Sequence, residues 1–151
     1  MAERTLSYLD YTVACICALP GELAAVRAMC NEMHANLPST TPAHSSYTLG
    51  KIEGHNVVSA CLPSGVHGTL SATAVVTYLQ SAFPNVRYGL MVGIRGSVHI
   101  RLGDVVVSKP TSSSSGVVQY DFGKTVGGGN FQHISILNQP LTILLNYGFA
   151  T

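Results

Sequence analysis

Charge is what this chain has least of. Only 10% of its 151 residues are Asp, Glu, Lys or Arg, against 46% hydrophobic. Net charge is +1 and no basic cluster occurs, so the electrostatic footprint of a nucleic-acid partner is missing. No apolar run approaches the ~20 residues of a membrane-spanning helix. The opening MAERTLSYLD holds no apolar signal core, so the chain reads as soluble and cytoplasmic, with no membrane partner. Cysteine is sparse: Cys15, Cys17, Cys30 and Cys61 lack metal-ligand spacing. Three of them fall in apolar elements, where cysteine acts as a small hydrophobe; a metal site or a disulfide pair is the alternative. No Gly-x-Gly-x-x-Gly follows the first apolar run, which weakens a dinucleotide-binding reading. No internal repeat is visible.

A core is affordable at this composition, and roughly 100–200 residues per domain allows one domain. So little charge also means that the chain hides more surface than a small monomer normally can. It oligomerises or belongs to something larger.

The pattern along the chain is α/β. Met1 to Asp10 reads as a loose leader and 11–151 as part of one domain. Tyr11 to Leu19 is an apolar first strand, broken by Pro20-Gly21. Leu23, Val26, Cys30 and Met33 keep helical spacing after Glu22. His34 to Ser46 is a loop. Tyr47 to Ile52 and Asn56 to Leu62 flank Glu53-Gly54 as a hairpin. After Pro63-Ser64-Gly65, apolar residues from Leu70 to Ala82 predict a second helix, ending before Pro84. Leu90-Met91-Val92 and Val105-Val106-Val107 read as two buried strands, with a turn carrying Gly93 and Gly96 at the end of the first. Glycine there lets a ligand approach the backbone closely. Val117 to Tyr120 is a candidate short strand, Gly127-Gly128-Gly129 a flexible turn, and Pro140 to Tyr147 a candidate helix. The order β-α-β-β-α-β-β implies a central sheet.

Several segments then line up: Ile16 to Glu22, Tyr47 to Val58, Pro63 to Gly68, Phe83 to Ile94, Ile100 to Ser108 and Val118 to Thr125. In this order and spacing they resemble the purine nucleoside phosphorylase and uridine phosphorylase superfamily. They are most similar to the nucleoside phosphorylase-like domains of fungal multidomain, NLR-like proteins. The resemblance covers about Tyr11 to Leu145. It implies a mixed central β-sheet flanked by helices, with a site at the carboxyl ends of strands. It also implies cleavage of the N-glycosidic bond of a small-molecule nucleoside, by water or by phosphate, without a cofactor. Such an enzyme is an N-ribosyl hydrolase or a pentosyltransferase. The reaction passes through an oxocarbenium-like sugar cation.

By that resemblance Glu22 is the catalytic glutamate that positions the attacking water, and its charge suits a sugar cation. Without the resemblance, Glu22 is a first-turn glutamate favoured by the helix dipole. Ser64 and Gly65 match a turn whose N–H groups face phosphate or sugar hydroxyls; an ordinary turn is the alternative. His67 beside it is either a sugar contact or a surface histidine. Gly93, Ile94 and Gly96 match the turn lining the base pocket. Arg95 and Ser97 replace two glycines common in that turn, and Arg95 either blocks the pocket or points to solvent. Phosphorolytic relatives commonly carry a phosphate-gripping arginine where Met91 stands, and a thioether cannot hold a dianion. Hydrolysis is therefore favoured over phosphorolysis. Asp104 more readily fixes its turn than does chemistry. Tyr120, Asp121 and Phe122 suggest no chemical role.

The resemblance also implies parts this sequence does not contain: a methionine-glutamate segment that clamps ribose and an aspartate that protonates the leaving base. The expectation is an amino-terminal half, inactive alone, with an exposed apolar sheet edge. A non-catalytic sensing or interaction module is the competing reading.

Overall fold

A computed structural model describes residues 6–38, 47–66, 68–94, 101, 104–112, 114–117, 122–134 and 139–147. The chain divides into two compact units, Met1–Arg95 and Gly96–Thr151.

The first unit is built on a five-stranded mixed sheet. Strand β1 is Val13–Cys17, followed by helix α1, Pro20–Ala28, and the two-residue strand β2, Glu32–Met33. Strands β3 (Tyr47–Ile52) and β4 (His55–Cys61) form a hairpin; helix α2, Thr69–Ala82, leads to β5, Tyr88–Val92. The sheet order is β2-β3-β4-β1-β5. β1 runs parallel to both β4 and β5, while β2–β3 and β3–β4 are antiparallel. This is the mixed, helix-flanked α/β sheet that the sequence implied.

Alternation along β1 sorts the two faces. Ala14 and Ile16 join Leu49, Val58, Ala60, Val75, Leu79 and Phe83 in one cluster, so α2 covers that face. Cys15 and Cys17 share the other face with Val26 of α1 and with Val57. All four cysteines are free. Burial, then the charge of Cys15, Cys61 and Glu22, pushes the Cys17 thiol up to about 11. It packs as a hydrophobe and has little thiolate character.

Several boundaries differ from the sequence pattern. Of the leader expected over 1–10, the described part is folded: Tyr8–Asp10 form a 3-10 turn, and the Tyr8 ring lies 5.1 Å from that of Phe83. Helix α1 starts earlier, with Pro20 at its first position, and stops at Ala28 instead of running to Met33. Its next residues are captured by the sheet: Asn31 N–H donates to the Lys51 carbonyl at 2.8 Å and His34 N–H to the Leu49 carbonyl at 2.9 Å. Met33, which kept the helical spacing in sequence, lies in β2 opposite Gly50 instead.

The second unit holds a hairpin of β6 (Gly123–Thr125) and β7 (Phe131–His133), then helix α3, Thr142–Tyr147. The glycine run expected to be a flexible turn is the hairpin's connection, with Gly128 and Gly129 at positive φ. The expected buried strand Val105–Val107 is not one: these valines are extensively exposed, Val105 at 87%. Among the described residues, no strand pairs with this run. Asp104 accepts the Arg101 N–H at 2.9 Å and closes a local turn. Val117 lies outside any strand, and 118–120 fall outside the described residues.

Candidate functional site

The parallel register brings three of the sequence segments to one edge. Cys17, the last residue of β1, is level with Cys61 of β4 and Val92 of β5. The next residues, Ala18, Leu62 and Gly93, therefore leave the carboxyl ends of three neighbouring strands together. Leu62 N–H donates to the Cys17 carbonyl at 2.9 Å. β1 lies between strands reached by connections on either side, the kind of switch point where open α/β sheets bind ligands.

Glu22 closes this edge. It is the third residue of α1, and its side chain is only 6% exposed. One carboxylate oxygen, Oε2, accepts the N–H groups of Ala18 and Leu19 at 2.8 and 2.9 Å. The bond to Leu19 is the reach-back of a helix capping box. The other oxygen, Oε1, accepts the Ile94 N–H at 2.9 Å, from just beyond the end of the neighbouring strand β5. Burial alone pushes this carboxyl up. The backbone donors of Ile94, Leu19 and Ala18 together outweigh that and hold it below the ordinary carboxylate range. Ionised, it has about four acceptor sites, of which three are used. Among the described residues no fourth donor reaches it, which leaves one site for a water or a hydroxyl.

Gly93 lies against this carboxylate. A Cβ built there would sit 3.4 Å from Glu22 Oε1, so glycine keeps the approach to the carboxylate open. Ile94 is 80% exposed. Ser64 and Gly65 are exposed in a turn that Val66 N–H closes onto the Pro63 carbonyl at 3.1 Å. Gly65 has φ of +78°, a conformation natural to glycine. Helix α2 begins only at Thr69, so this turn precedes the helix without capping it. His67, Arg95 and Gly96, also expected at the site, lie outside the described residues. Met91 occupies the register position of Ile16, on the α2 face, and is largely exposed.

The sequence pointed to Glu22 and Gly93-Ile94 separately. It did not show that a hydrogen bond joins them, nor that the N–H groups of Ala18 and Leu19 complete the set. A glutamate three residues after a strand end was the one local signal. Among the described residues, no group of three or more His, Cys, Asp or Glu is arranged to hold a metal ion, and no helix is long and apolar enough to cross a membrane.

Fold and edge together define an α/β protein with a buried carboxylate at the carboxyl ends of parallel strands. The sequence model of the Phosphorylase superfamily matches residues 12–145, and the chain belongs to that superfamily. It is 46% identical over 142 residues to a nucleotide-binding leucine-rich repeat (NLR)-like protein of Hyaloscypha variabilis. That match covers 90% of this chain and 14% of the relative. The chain thus spans only a small part of the relative's length. No solved structure gave a significant match.

Proposed function

We propose that this chain carries the water-orienting part of a site that cleaves the N-glycosidic bond of a nucleoside, and that the reaction is hydrolysis. The observation behind this reading is the Glu22 carboxylate, ionised, anchored by three backbone donors and adjoining Gly93. A carboxyl held below its ordinary pKa is a weak proton acceptor but a firm hydrogen-bond acceptor. Its role is therefore to orient a water through the free site on Oε1, and to place negative charge near the sugar cation. Gly93 and Ile94 line the base side, with Ser64 and Gly65 facing the sugar. His67, Arg95 and Gly96 complete the site in this proposal.

Phosphate fits this edge poorly. Met91 offers no cation, and a missing charge-assisted contact commonly costs ~1.5–3 kcal/mol. An ionised Glu22 also repels a dianion. The test is product analysis on a polypeptide that joins this chain to the superfamily's carboxyl-terminal half. Adenosine, inosine, uridine and methylthioadenosine are assayed with and without phosphate. Free ribose with no phosphate requirement, lost in Glu22→Gln, supports the proposal. Ribose 1-phosphate as the main product, lost in Arg95→Ala, overturns it and makes Arg95 the phosphate ligand. The chain alone is expected to show no turnover.

A second reading, a non-catalytic sensing module, draws support from the NLR-like name of the relative. It expects a nucleoside to raise the melting temperature of the joined polypeptide without any release of base.

A further inference from the structure

Helix α2 begins without a cap. Its N-cap residue is Gly68, which has no side chain to offer, and no side chain caps the first turn. The Ala72 N–H makes the first bond of the helix, to the Gly68 carbonyl at 3.1 Å. The N–H groups of Thr69, Leu70 and Ser71 have no acceptor among the described residues. Aligned donors and the positive end of the helix dipole suit an anion, but every helix has such an end.

Ser71 sets this one apart. Ser71, Val75 and Leu79 are the buried residues of α2, four apart on one stripe. Val75 and Leu79 pack in the core cluster of Ile16 and Ala60. Ser71 continues the stripe into the first turn and is only 9% exposed. A buried hydroxyl is normally hydrogen-bonded. On a helix the usual partner is the carbonyl four residues back, as for Thr73, whose Oγ1 donates to the Thr69 carbonyl at 2.8 Å. Ser71 Oγ has no partner among the described residues. Helical Cα–Cβ bonds tilt toward the N-terminus, so this hydroxyl is directed to the end where the three N–H groups are unused.

Topology puts that end on the edge of the candidate site. Helix α2 follows β4 and leads back to β5, and both strands run parallel to β1. Its first turn therefore lies at the carboxyl ends of the strands. It arrives on the face of Ile16, whereas Glu22 arrives from α1 on the face of Cys15 and Cys17. A Cβ built at Gly65 or Gly68, just before the helix, would meet nothing within 4 Å, which leaves the backbone there open to a ligand.

We propose that the first turn of α2 binds the phosphate group of a nucleoside monophosphate, with Ser71 Oγ and the N–H groups of Thr69, Leu70 and Ser71 donating to its oxygens. The nucleoside in this assignment rests on the proposed function, whereas the phosphate rests on α2 alone. The phosphate is a handle on the substrate and not the nucleophile, because it is held on the opposite face from the carboxylate that orients the attacking group. No acidic residue lies in the first turn to oppose it. Thr69–Ala82 contains no lysine or arginine either, so the turn holds a free phosphate weakly and needs the attached nucleoside to seat it.

The test uses the full chain, titrated with inorganic phosphate and with adenosine, inosine and uridine, each with and without a 5′-phosphate. Calorimetry reads affinity and amide NMR reads position. At least one monophosphate should bind about tenfold more tightly than its nucleoside and shift the amides of Thr69, Leu70 and Ser71. Ser71→Ala should bind that monophosphate about tenfold more weakly and its nucleoside equally well. Without ligand its melting temperature should hold or rise, since an unpaired buried hydroxyl has been removed. Leu70→Glu, at an exposed position, should fold and lose the preference for the monophosphate. Equal affinity for every nucleoside and its monophosphate overturns the proposal and leaves the reading of Glu22, judged by product analysis, standing. A clear drop in the melting temperature of Ser71→Ala overturns it by revealing a structural partner for the hydroxyl. Inorganic phosphate that binds at these amides as tightly as any monophosphate overturns the nucleotide in favour of a free anion. Absence of any shift at the three amides also overturns it.

Discussion

The Glu22 carboxylate on α1 and the Ile94 N–H beyond β5 are 72 residues apart in sequence and 2.9 Å apart in space. This bond runs from the first turn of α1 to the residue pair after β5, linking two of the segments that make the candidate site. Stability and site geometry therefore depend on one side chain.

Replacing Glu22 with Gln should separate the two. The amide keeps one acceptor oxygen, and its nitrogen is a donor. If the oxygen stays with Ala18 and Leu19, the nitrogen faces the Ile94 N–H, donor against donor. We expect a loss of about 1–3 kcal/mol in denaturant unfolding. Amide exchange should accelerate at Ile94 more than at Ala18 or Leu19. Equal acceleration at all three would mean that the cap, not the cross-sheet bond, was lost.

The same carboxyl sets an acid limit. Its folded-state pKa lies below the ordinary value. The ionised form thus stabilises the fold fully above the unfolded pKa of about 4.3, and that contribution is lost as pH falls through the lower folded value. Melting temperatures of the native chain and Glu22→Gln should differ most near neutrality and converge in acid. A constant gap down to pH 3 would contradict this.

Gly50 in β3 has no room for a methyl group. A Cβ there would lie 2.8 Å from Cys30 Sγ and 2.9 Å from the Glu32 carbonyl oxygen. Gly50→Ala should cost about 1–3 kcal/mol, the usual range for overpacking. Adding Cys30→Ala should recover only part of it, because the Glu32 backbone remains. Full recovery would mean that the sulfur alone sets the limit.

At the β3–β4 turn, Glu53 has φ of +51°, a conformation that costs an L-residue roughly 1–2 kcal/mol. Its N–H donates to Asn31 Oδ1, a bond any replacement except proline retains. Glu53→Gly should raise stability by about 0.5–1 kcal/mol after the added backbone entropy is subtracted. A drop in melting temperature would show that the side chain makes a contact worth more than the strain.

What the sequence carried was local. The β3–β4 hairpin was legible because two apolar runs flank Glu53-Gly54, and α2 because its apolar spacing runs unbroken to Ala82. β2 was not legible, since two residues carry no periodicity and its existence depends on β3 being beside it. Val105–Val107 misled for the converse reason: hydrophobicity was present, and among the described residues no strand pairs with it. At the site, Glu22 was visible as a first-turn glutamate. Its bond to Ile94 depends on β5 lying beside β1, which no short-range pattern encodes.

The central position of β1 bears on how this polypeptide is made. Val13 pairs with Val57 on one side and with Tyr88 on the other. During synthesis β1 leaves the ribosome before either neighbour and waits for β4, then for β5, before both its edges are occupied. Until then an uncharged strand ending in Cys15, Ile16 and Cys17 stays open to wrong partners. Such long-range closure slows folding and lengthens exposure to aggregation. A nascent chain halted before Tyr88 should therefore depend on chaperones far more than one released after Ile94.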